Sequence, residues 1–518
     1  MLSVPQEIND KILLKWFKKN SQKIDFIDSG LEFPTQVTRL DNETGQLIKG
    51  LDEEKYLHMP ENMKILIDLW KTLIGDAIIF LKSKDDRELF HDGEIFGMDV
   101  LASIMTEFKE FERLLYGAKY SYRDHIAHVF RVFLTGEFLI RNYVQFAEIS
   151  VGDDLLPEKV SPEEKEAMWC IMSLTHDIGY ALEDIDTINQ KIRDMIKEYG
   201  KASVQELTYM FPPQRHAIDD FVLRFISSNL VPRSNDEEIE PGSNNERISS
   251  NLVPRSNDEE IEPGSNYEKI QFHTHIQTKY FMKFYRAYEK FDHGIISCTV
   301  LMRELVFFLE SDFLLDQFAT LNHKNARQFL IRQNILRAIA SHNCPDIYHL
   351  RVNDFPFMLM ICDELQEWGR PRMEEIFKER IPDQEDKKVM ILNLINLPNG
   401  QSEVSYEVIF TSKNADTREA TKMMLTIEEY FITKTKKYIK VLRSAVGGDL
   451  RNINFTFSVK NRSPMKGKES HYRFVLKQPL KGEKKLVPEL WLGHVKQKSL
   501  QEIIRKHEKK VHRSKYQK

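Results

Sequence analysis

The chain reads Trp169-Cys-Ile-Met-Ser-Leu-Thr-His-Asp-Ile-Gly-Tyr180 at the point where an apolar run ends in a histidine and an aspartate. The apolar residues predict the buried face of a helix, so His176 and Asp177 are expected at a buried position. A second histidine-aspartate pair, His91-Asp92, stands among polar residues and a glycine, which are typical of a loop. That context marks the second pair as a chance dipeptide, whereas the first presents two metal-ligating side chains to a core.

The composition is that of a globular protein with a large apolar core. The chain has 518 residues, of which 41% are hydrophobic and 11% aromatic, and this length predicts two to four domains. No window approaches the roughly 18 uninterrupted apolar residues of a membrane-spanning helix, and the amino terminus lacks the pattern of a secretion signal. We therefore expect a cytoplasmic protein without a membrane span. The four cysteines form no C-x-x-C pair, so buried free thiols are expected.

The net charge of −5 hides a strong asymmetry between the two ends of the chain. From Arg451 onward there are 19 lysines and arginines against 5 glutamates, an excess of +14 that leaves −19 for the rest. A basic tail on an acidic body predicts either a polyanionic partner or a tail that docks on its own protein. The segment Arg505–Lys518 is the candidate for contacts with nucleic acid phosphates, although such a run is more often a solvated helix end.

The periodicity of apolar residues predicts a mainly α fold in three parts. Residues 1–115 read as a helical N-terminal region, and residues 116–385 are again almost wholly helical. Residues 386–518 read as a small α+β domain with the basic tail, because four strand-like runs flank one long amphipathic helix at Ala420–Leu442.

An internal repeat interrupts the central part. The segment Ile226–Asn244 recurs unchanged as Ile248–Asn266, with a period of 22 residues. The unit occurs twice and is rich in serine, asparagine, proline, glycine and glutamate, which is unlike a solenoid repeat. We therefore interpret residues 226–270 as a flexible, duplicated insert in a surface loop.

Further histidines and one aspartate lie in apolar helical stretches on either side of the first pair. His125 and His128 are three residues apart and therefore share a helix face. His293, His342 and Asp363 follow later in the chain. A single such histidine is more often a satisfied core residue than a ligand, but the carboxylate of Asp363 is costly to bury without a cation or partner. The ordered set is therefore a candidate metal site.

This order of residues resembles the HD superfamily of metal-dependent phosphohydrolases, which are helical proteins with a first histidine, an adjacent His-Asp pair and a distal aspartate. The resemblance covers residues 120–377, and the two further histidines are similar to those of the dinuclear branch. It implies an all-helical HD-type core within residues 116–385, with His128 preferred over His125 as the first ligand. It also implies catalytic roles for His176 and Asp177, with Asp177 bridging two metals. The metal ligands that the resemblance implies are His128, His176, Asp177, His293, His342 and Asp363.

The ligand types set the expected chemistry. A histidine and carboxylate site suits iron or manganese, and zinc or nickel are alternatives. Two divalent metals about 3.5–4 Å apart polarise a phosphoryl oxygen and activate a water molecule as hydroxide. The expected activity is hydrolysis of a phosphoester or phosphoanhydride bond in a nucleotide or another phosphorylated small molecule. The Gly-Tyr-Pro segment typical of cyclic-di-GMP enzymes is absent from the sequence.

Positive residues near the ligands are candidates for contacts with substrate phosphates. Arg123, Arg131 and Arg370 are close in sequence to the ligands, and His125 is a fourth candidate. Salt bridges to acidic neighbours are the alternative for the arginines. The alternative for the whole protein is a non-catalytic regulatory or nucleic-acid-binding protein that retains an HD-type fold. The oligomeric state stays open.

Overall fold

The computed structural model describes the helices and strands of the chain and some of the segments that join them. The described residues are 6–20, 26, 34–52, 57, 60–85, 95, 97–118, 124–142, 149–152, 156, 159–183, 185–198, 213–233, 271–309, 320–344, 347, 354–368, 387–396, 402–411, 417–445, 453–462, 470–476 and 488–516.

Most of the described residues are helical, and a small sheet lies in the C-terminal part of the chain, so the predicted mainly α class is confirmed. A short 3-10 helix, Val306–Phe308, follows the α-helix that ends at Glu304. The α-helices are α1 (Asp10–Asn20), α2 (Pro34–Asp52), α3 (Pro60–Asp85), α4 (Met98–Ala118), α5 (Ile126–Asn142), α6 (Pro162–Thr175), α7 (Tyr180–Glu183), α8 (Ile185–Glu198), α9 (Pro213–Ser227), α10 (Thr278–Tyr288), α11 (His293–Glu304), α12 (His323–Ser341), α13 (Phe355–Leu365), α14 (Thr417–Ala445) and α15 (Leu500–Tyr516).

The main sheet has seven strands in the order β1-β4-β5-β6-β7-β8-β9. Its neighbours are antiparallel except β5 and β6, which are parallel and are joined by the long helix α14. The strands and the long helix predicted for the C-terminal part are therefore confirmed. The strands are β1 (Gln6–Glu7), β2 (Ser228–Arg233), β3 (Gln271–Ile276), β4 (Lys387–Asn396), β5 (Ser402–Thr411), β6 (Ile453–Arg462), β7 (Ser470–Leu476), β8 (Glu489–Leu492) and β9 (Val495–Gln497).

The first strand of the sheet comes from the amino terminus, which the sequence had placed in a helical region. Gln6 pairs with Leu392 and Glu7 with Ile391 of β4. Helix α1 follows this strand after two residues, so the chain passes directly from the sheet to the helical part. The domain boundaries at residues 115 and 385 stay predictions.

The basic C-terminal helix α15 packs against helix α14. His507 Nδ1 lies 3.1 Å from Glu428 Oε2, and the Lys510 ammonium donates to Glu428 Oε1 at 2.9 Å. Glu428 is buried, as is Ile503 on the same side of α15. One face of the tail therefore docks on its own protein, which was one of the two alternatives for the basic segment.

The start of the repeated segment is regular structure, unlike the surface loop expected there. Ile226 and Ser227 end helix α9, and strand β2 then pairs with β3 in an antiparallel ribbon. The side-chain amide of Gln333 on α12 donates to the Phe225 and Ser228 carbonyls, at 2.7 Å each. These contacts attach the base of the ribbon to the helical core. Residues 234–270, the rest of the predicted insert, lie outside the described residues.

The apolar core runs through the helical part, and helix α6 lies at its centre. Every side chain of α6 from Ala167 to Leu174 is buried. Cys170, Cys298, Cys344 and Cys362 are buried free thiols, as expected. None of the helices within the described ranges is long and apolar enough to cross a bilayer.

A capping box fixes the beginning of helix α6. The Ser161 hydroxyl accepts from the Glu164 amide at 3.3 Å, and the Glu164 carboxylate accepts from the Ser161 amide at 2.8 Å. Pro162 follows the cap, where its missing amide hydrogen costs no helical hydrogen bond. The Glu164 carboxylate also accepts from the buried Arg327 of α12, at 2.5 Å. This end of α6 is therefore set against α12, and its other end carries the His-Asp pair.

A glycine allows helix α5 to approach helix α6 closely. A Cβ atom on Gly136 would lie 2.0 Å from Cζ2 of the Trp169 ring, so a larger residue cannot occupy this position without a shift. The Trp169 indole donates to the Phe133 carbonyl at 3.1 Å. Because α5 carries His128 and α6 leads to His176, this contact sets the separation of the first two histidines.

A buried glutamate beside this contact makes the stability of the protein depend on pH. Burial and then the charge of Glu166 raise the pKa of Glu137 well above 4.5, against the lowering effect of Arg141. Because the folded-state pKa is above the unfolded value, protonated Glu137 stabilises the fold at low pH. That contribution is lost as pH rises from about 4.5 towards the folded-state pKa. We therefore expect wild type to lose stability over this interval relative to Glu137→Gln.

Urea denaturation of both proteins at a series of pH values, with chelator present throughout, tests this expectation. Glu198→Gln in the last turn of α8 is the control, because the Glu198 side chain is exposed. The expected loss of stability is contradicted if the free energy of unfolding depends on pH in the same way for wild type and Glu137→Gln.

Candidate metal centre

His176 is the first residue after helix α6, and its ring is oriented by that helix. Its Nδ1 lies 2.8 Å from the Ser173 carbonyl, which can only accept, so Nδ1 carries the proton and Nε2 presents a lone pair. The side chain is fully buried, and among the described residues Nε2 has no hydrogen-bond partner. Burial, more than the opposing charge of Asp177, lowers the pKa of His176 to about 4. A neutral imidazole with an unpaired buried lone pair fits a metal ligand.

His128 is held at both ring nitrogens by the end of helix α13. Its Nδ1 lies 2.6 Å from Oε1 of Gln366, whose amide group donates to the Trp368 carbonyl at 2.6 Å. The amide oxygen therefore faces the ring, and His128 Nδ1 is the donor. His128 Nε2 lies 2.9 Å from Asp363 Oδ1 and 3.6 Å from Asp177 Oδ2. A lone pair between two carboxylates favours a cation at this position.

His342 and His293 face each other on the other side of Asp177. His342 is the first residue after helix α12, and its Nδ1–H donates to the Ile339 carbonyl at 2.7 Å. His293 begins helix α11, and its Nδ1 contacts the Glu183 carboxylate. The two Nε2 atoms are 3.0 Å apart, and they lie 3.7 Å (His342) and 3.3 Å (His293) from Asp177 Oδ1. Each of these two rings already donates through Nδ1, so two neutral rings would place the lone pairs of their Nε2 atoms against each other. A proton or a metal ion between the two Nε2 atoms is therefore required.

The two carboxylates of the cluster are ionised. Burial would raise the pKa of Asp177, but the neighbouring His176, His342 and His293 outweigh it and hold the pKa well below its usual value. Burial likewise opposes ionisation of Asp363, yet the hydrogen bond and charge of His128 lower its pKa. One buried and one half-buried carboxylate, both anionic, therefore lie close to the same imidazole ring of His128.

Neighbouring carboxylates also act on His293. Burial would lower the pKa of His293, but the hydrogen bond that its ring donates to the Glu183 carboxylate and then the charge of Asp177 raise it to about 9. Without a metal, His293 therefore holds a proton at neutral pH. The cluster thus attracts positive charge, which a divalent ion can supply in place of the proton.

These side chains form two overlapping groups that can hold a metal ion. One consists of His128, His176 and Asp177, and the other of Asp177, His293 and His342. Within each group the ligand atoms lie within 4.8 Å of one another, and all of the residues are buried. Asp177 belongs to both groups, and Asp363 adjoins the first through His128.

Two more glycines bring the ligand-bearing segments into contact. A Cβ atom on Gly179 would lie 2.3 Å from the His293 carbonyl, and one on Gly294 would lie 2.6 Å from the Ile339 carbonyl. The hydroxyl of Ser297 accepts from the Gly179 amide at 2.8 Å and donates to the His176 carbonyl at 2.7 Å. The His-Asp turn is thereby joined to helix α11, and helix α11 to the end of helix α12.

The predicted phosphate contacts have mixed outcomes. His125 lies beside the cluster, where its ring stacks on Tyr180 with centroids 3.8 Å apart. Arg131 is buried, and its guanidinium donates twice to the Asp10 carboxylate, at 2.8 and 2.9 Å. The structure therefore favours the salt-bridge alternative for Arg131, because packing of α1 against α5 brings Asp10 to it. Arg123 and Arg370 lie outside the described residues.

Two residues that orient histidines were not assigned any role from the sequence. Gln366 follows Asp363 by three residues, the spacing that places two side chains on the same face of a helix, so a local signal existed. Glu183 follows His176 by seven residues, and its partner His293 is 110 residues away. Spacing could not have found this second contact.

Replacing Glu183 with glutamine tests the second of these contacts. Although burial would raise the pKa of Glu183, the hydrogen bond with His293 lowers it, so an ionised carboxylate orients this ring. Loss of a partner that orients a ligating histidine typically weakens metal binding about 10- to 100-fold. We expect Glu183→Gln to weaken Mn²⁺ binding by such a factor, measured by isothermal titration. Glu198→Gln is the control, and equal affinities for Glu183→Gln and wild type would contradict the assignment.

Five segments of the chain supply this centre: the start of α5, the turn after α6, the start of α11, the end of α12 and the end of α13. Each places a buried or half-buried histidine or aspartate at the same point in the core. The shared geometry is four imidazole Nε2 atoms around one carboxylate. No family model, curated protein or solved structure matches the chain.

Proposed function

We propose that this protein is a metal-dependent hydrolase of the HD superfamily that cleaves a phosphoester or phosphoanhydride bond. Its substrate would be a nucleotide or a similar phosphorylated small molecule. The observation that carries the proposal is the convergence of four imidazole Nε2 atoms on Asp177 while each Nδ1 is held by a separate acceptor. A histidine in an ordinary core needs one hydrogen-bond partner, whereas four rings oriented through Nδ1 with their Nε2 atoms around one carboxylate are what a metal site requires.

The ligand set divides between two ions. One would be held by His128, His176 and Asp177 together with Asp363, and the other by His293 and His342 with Asp177 shared. Imidazole and carboxylate donors suit iron or manganese, with zinc and nickel as alternatives. Bound there, two divalent ions would polarise a phosphoryl oxygen and lower the pKa of a water molecule.

The residues of the chain would provide orientation and charge for this chemistry. The Ser173 and Ile339 carbonyls, Gln366 and Glu183 keep the four rings in the ligating tautomer. The anionic Asp177 at the centre draws cations into a buried region from which bulk water is excluded.

An aromatic pair beside the ligands is the candidate surface for the substrate. The half-buried Tyr180 ring lies 3.8 Å from the ring of His125 and 5.3 Å from that of His293. It is therefore close to the second group of ligands and still partly exposed. We expect the phosphorylated substrate to approach the ions along this side.

Metal content and turnover test the proposal together. Protein purified without added metal or chelator should contain about two iron or manganese ions per chain by elemental analysis. It should hydrolyse bis(p-nitrophenyl) phosphate or a nucleotide, lose this activity on chelation and recover it when Mn²⁺ is restored. His128→Ala should lose metal, whereas His494→Ala, which removes an exposed histidine near the sheet edge, should not. Protein that neither contains metal nor takes up iron or manganese would contradict the proposal and favour a helical binding protein.

A further inference from the structure

The last turn of helix α13 contacts His128 from two sides. Asp363 Oδ1 lies 2.9 Å from Nε2 of His128, and Gln366 Oε1 lies 2.6 Å from Nδ1. One aspartate and one glutamine, three residues apart, therefore fix both the ring and its tautomer. Any movement of this turn changes the position of the first ligand and of Asp363 together.

The carbonyls at the end of this helix need partners from elsewhere. The last four carbonyl groups of a helix have no amide partner within it. In α13 the Gln366 amide donates to the carbonyls of Cys362 and Asp363, at 3.1 and 3.2 Å. The carbonyls of Glu364 and Leu365 are left for donors outside the helix.

Side chains of the C-terminal sheet and of helix α14 supply those donors. The Tyr406 hydroxyl, from β5, donates to the Leu365 carbonyl at 3.0 Å. The Tyr438 hydroxyl and the Lys434 ammonium, both from α14, donate to the Glu364 carbonyl at 3.3 and 3.2 Å. All three donors are buried, so water does not readily replace them.

Lys434 adds charge to this cap. Its ammonium pairs with the Glu364 carboxylate at 3.3 Å and with the Glu367 carboxylate, both next to the end of α13. A cation at the C-terminus of a helix also interacts favourably with the helix dipole. Tyr438 and Tyr406 are placed by the sheet, because the Tyr438 ring packs on Phe457 with centroids 5.0 Å apart and Tyr406 stacks on the same ring.

We propose that Tyr406, Tyr438 and Lys434 are positioning residues through which the C-terminal sheet sets the metal affinity of the centre. The inference rests on the proposed function, since it assumes that His128 and Asp363 ligate a metal. Without the three donors, two carbonyls at the end of α13 lose their partners and the last turn frays. Asp363 and Gln366 then no longer hold His128 in place. A ligand or partner that moves the sheet relative to α13 would change metal affinity in the same way.

The test is the affinity of the full-length chain for Co²⁺, whose visible spectrum reports the ligands around the ion. We expect the double substitution Tyr406→Phe with Tyr438→Phe, which removes only two hydroxyls, to weaken Co²⁺ binding about 10-fold and to change its absorption bands. Lys434→Met should weaken binding as well, and Lys434→Arg should restore part of it. Tyr430→Phe is the matched control, because Tyr430 lies on the same helix and packs on Phe410 and Phe457 of the sheet.

The outcomes separate this inference from the proposed function. A wild-type protein that binds no Co²⁺ contradicts the metal centre and the inference with it. A wild-type protein that binds Co²⁺, and folded variants with the same affinity and spectrum, overturn the inference alone. A loss of thermal stability without a change in affinity has the same meaning, because it shows a structural role only. If the double variant loses its native circular dichroism, the single variants Tyr406→Phe and Tyr438→Phe decide by the same criterion.

Discussion

Asp177→Asn is expected to release the bound metal and to lower hydrolytic turnover by more than about 100-fold. Loss of a residue that only orients a ligand typically lowers activity by up to about 100-fold, and loss of a ligand should lower it at least as much. The carboxylate lies at the centre of the cluster, with Oδ1 between 3.3 and 3.7 Å from three imidazole nitrogens and Oδ2 3.6 Å from a fourth. Asparagine keeps the shape of the side chain and removes the negative charge that both groups share. Elemental analysis and the turnover of bis(p-nitrophenyl) phosphate measure the two effects.

The chain contains a matched control for this substitution. Asp92 belongs to the other histidine-aspartate pair, which the sequence assigns to a polar loop and which lies outside the described residues. Asp92→Asn should therefore leave metal content and turnover unchanged. Circular dichroism establishes that each variant is folded. Full metal content in folded Asp177→Asn would exclude a shared role for this carboxylate.

Gly179→Ala is expected to destabilise the fold by about 3 kcal/mol, the upper part of the usual range for overpacking. The added Cβ would lie 2.3 Å from the His293 carbonyl oxygen and 2.7 Å from the Ser297 amide nitrogen. Both are backbone atoms of α11, so the collision cannot be relieved by a change of rotamer. Helix α11 must move away from the His-Asp turn, and His293 then leaves Asp177.

Urea denaturation of chelated protein measures the stability change, and isothermal titration with Mn²⁺ measures the affinity. Gly75→Ala in helix α3 is the control, because among the described residues its Cβ would meet only the Ile95 Cδ1 atom, at 3.4 Å. Alanine is the better helix former by up to about 1 kcal/mol, so this variant should be as stable as wild type or more so. A Gly179→Ala protein with wild-type stability and affinity would show that α11 and the turn can separate without consequence.

The helices and the C-terminal strands were accessible from the sequence because their signals are local. Apolar residues recur with the period of each element, so α6 and α14 can be predicted without knowledge of their neighbours. The strand β1 could not be predicted, since its two residues pair with Ile391 and Leu392 almost four hundred positions later. The prediction of a surface loop at the start of the repeated segment was wrong for a related reason. Its composition is typical of a loop, whereas pairing with β3 and contacts from Gln333 stabilise a strand.

The metal centre likewise has features that local sequence predicts and features that depend on tertiary packing. The ligand types and their order could be predicted, because polar side chains inside apolar helical stretches are conspicuous in the sequence. Arg131 shows the limit of that reasoning, since it stands three residues after His128 and yet pairs with Asp10 of helix α1. The position of an arginine in the sequence does not determine whether its guanidinium pairs with an acidic side chain or with a substrate phosphate.

The sequence by itself determined the donor side chains and the orientation of two of the rings. His176 and His342 each follow a helix directly, and each donates Nδ1–H to the carbonyl three residues earlier, which the helix leaves without an amide partner. Only the tertiary structure decided the other two rings. His128 is oriented by Gln366, 238 residues away, and His293 by Glu183, 110 residues away. The physical reason is that a ring nitrogen turns towards whichever acceptor packing brings within reach, and these acceptors arrive only when helices α5, α7, α11 and α13 have met.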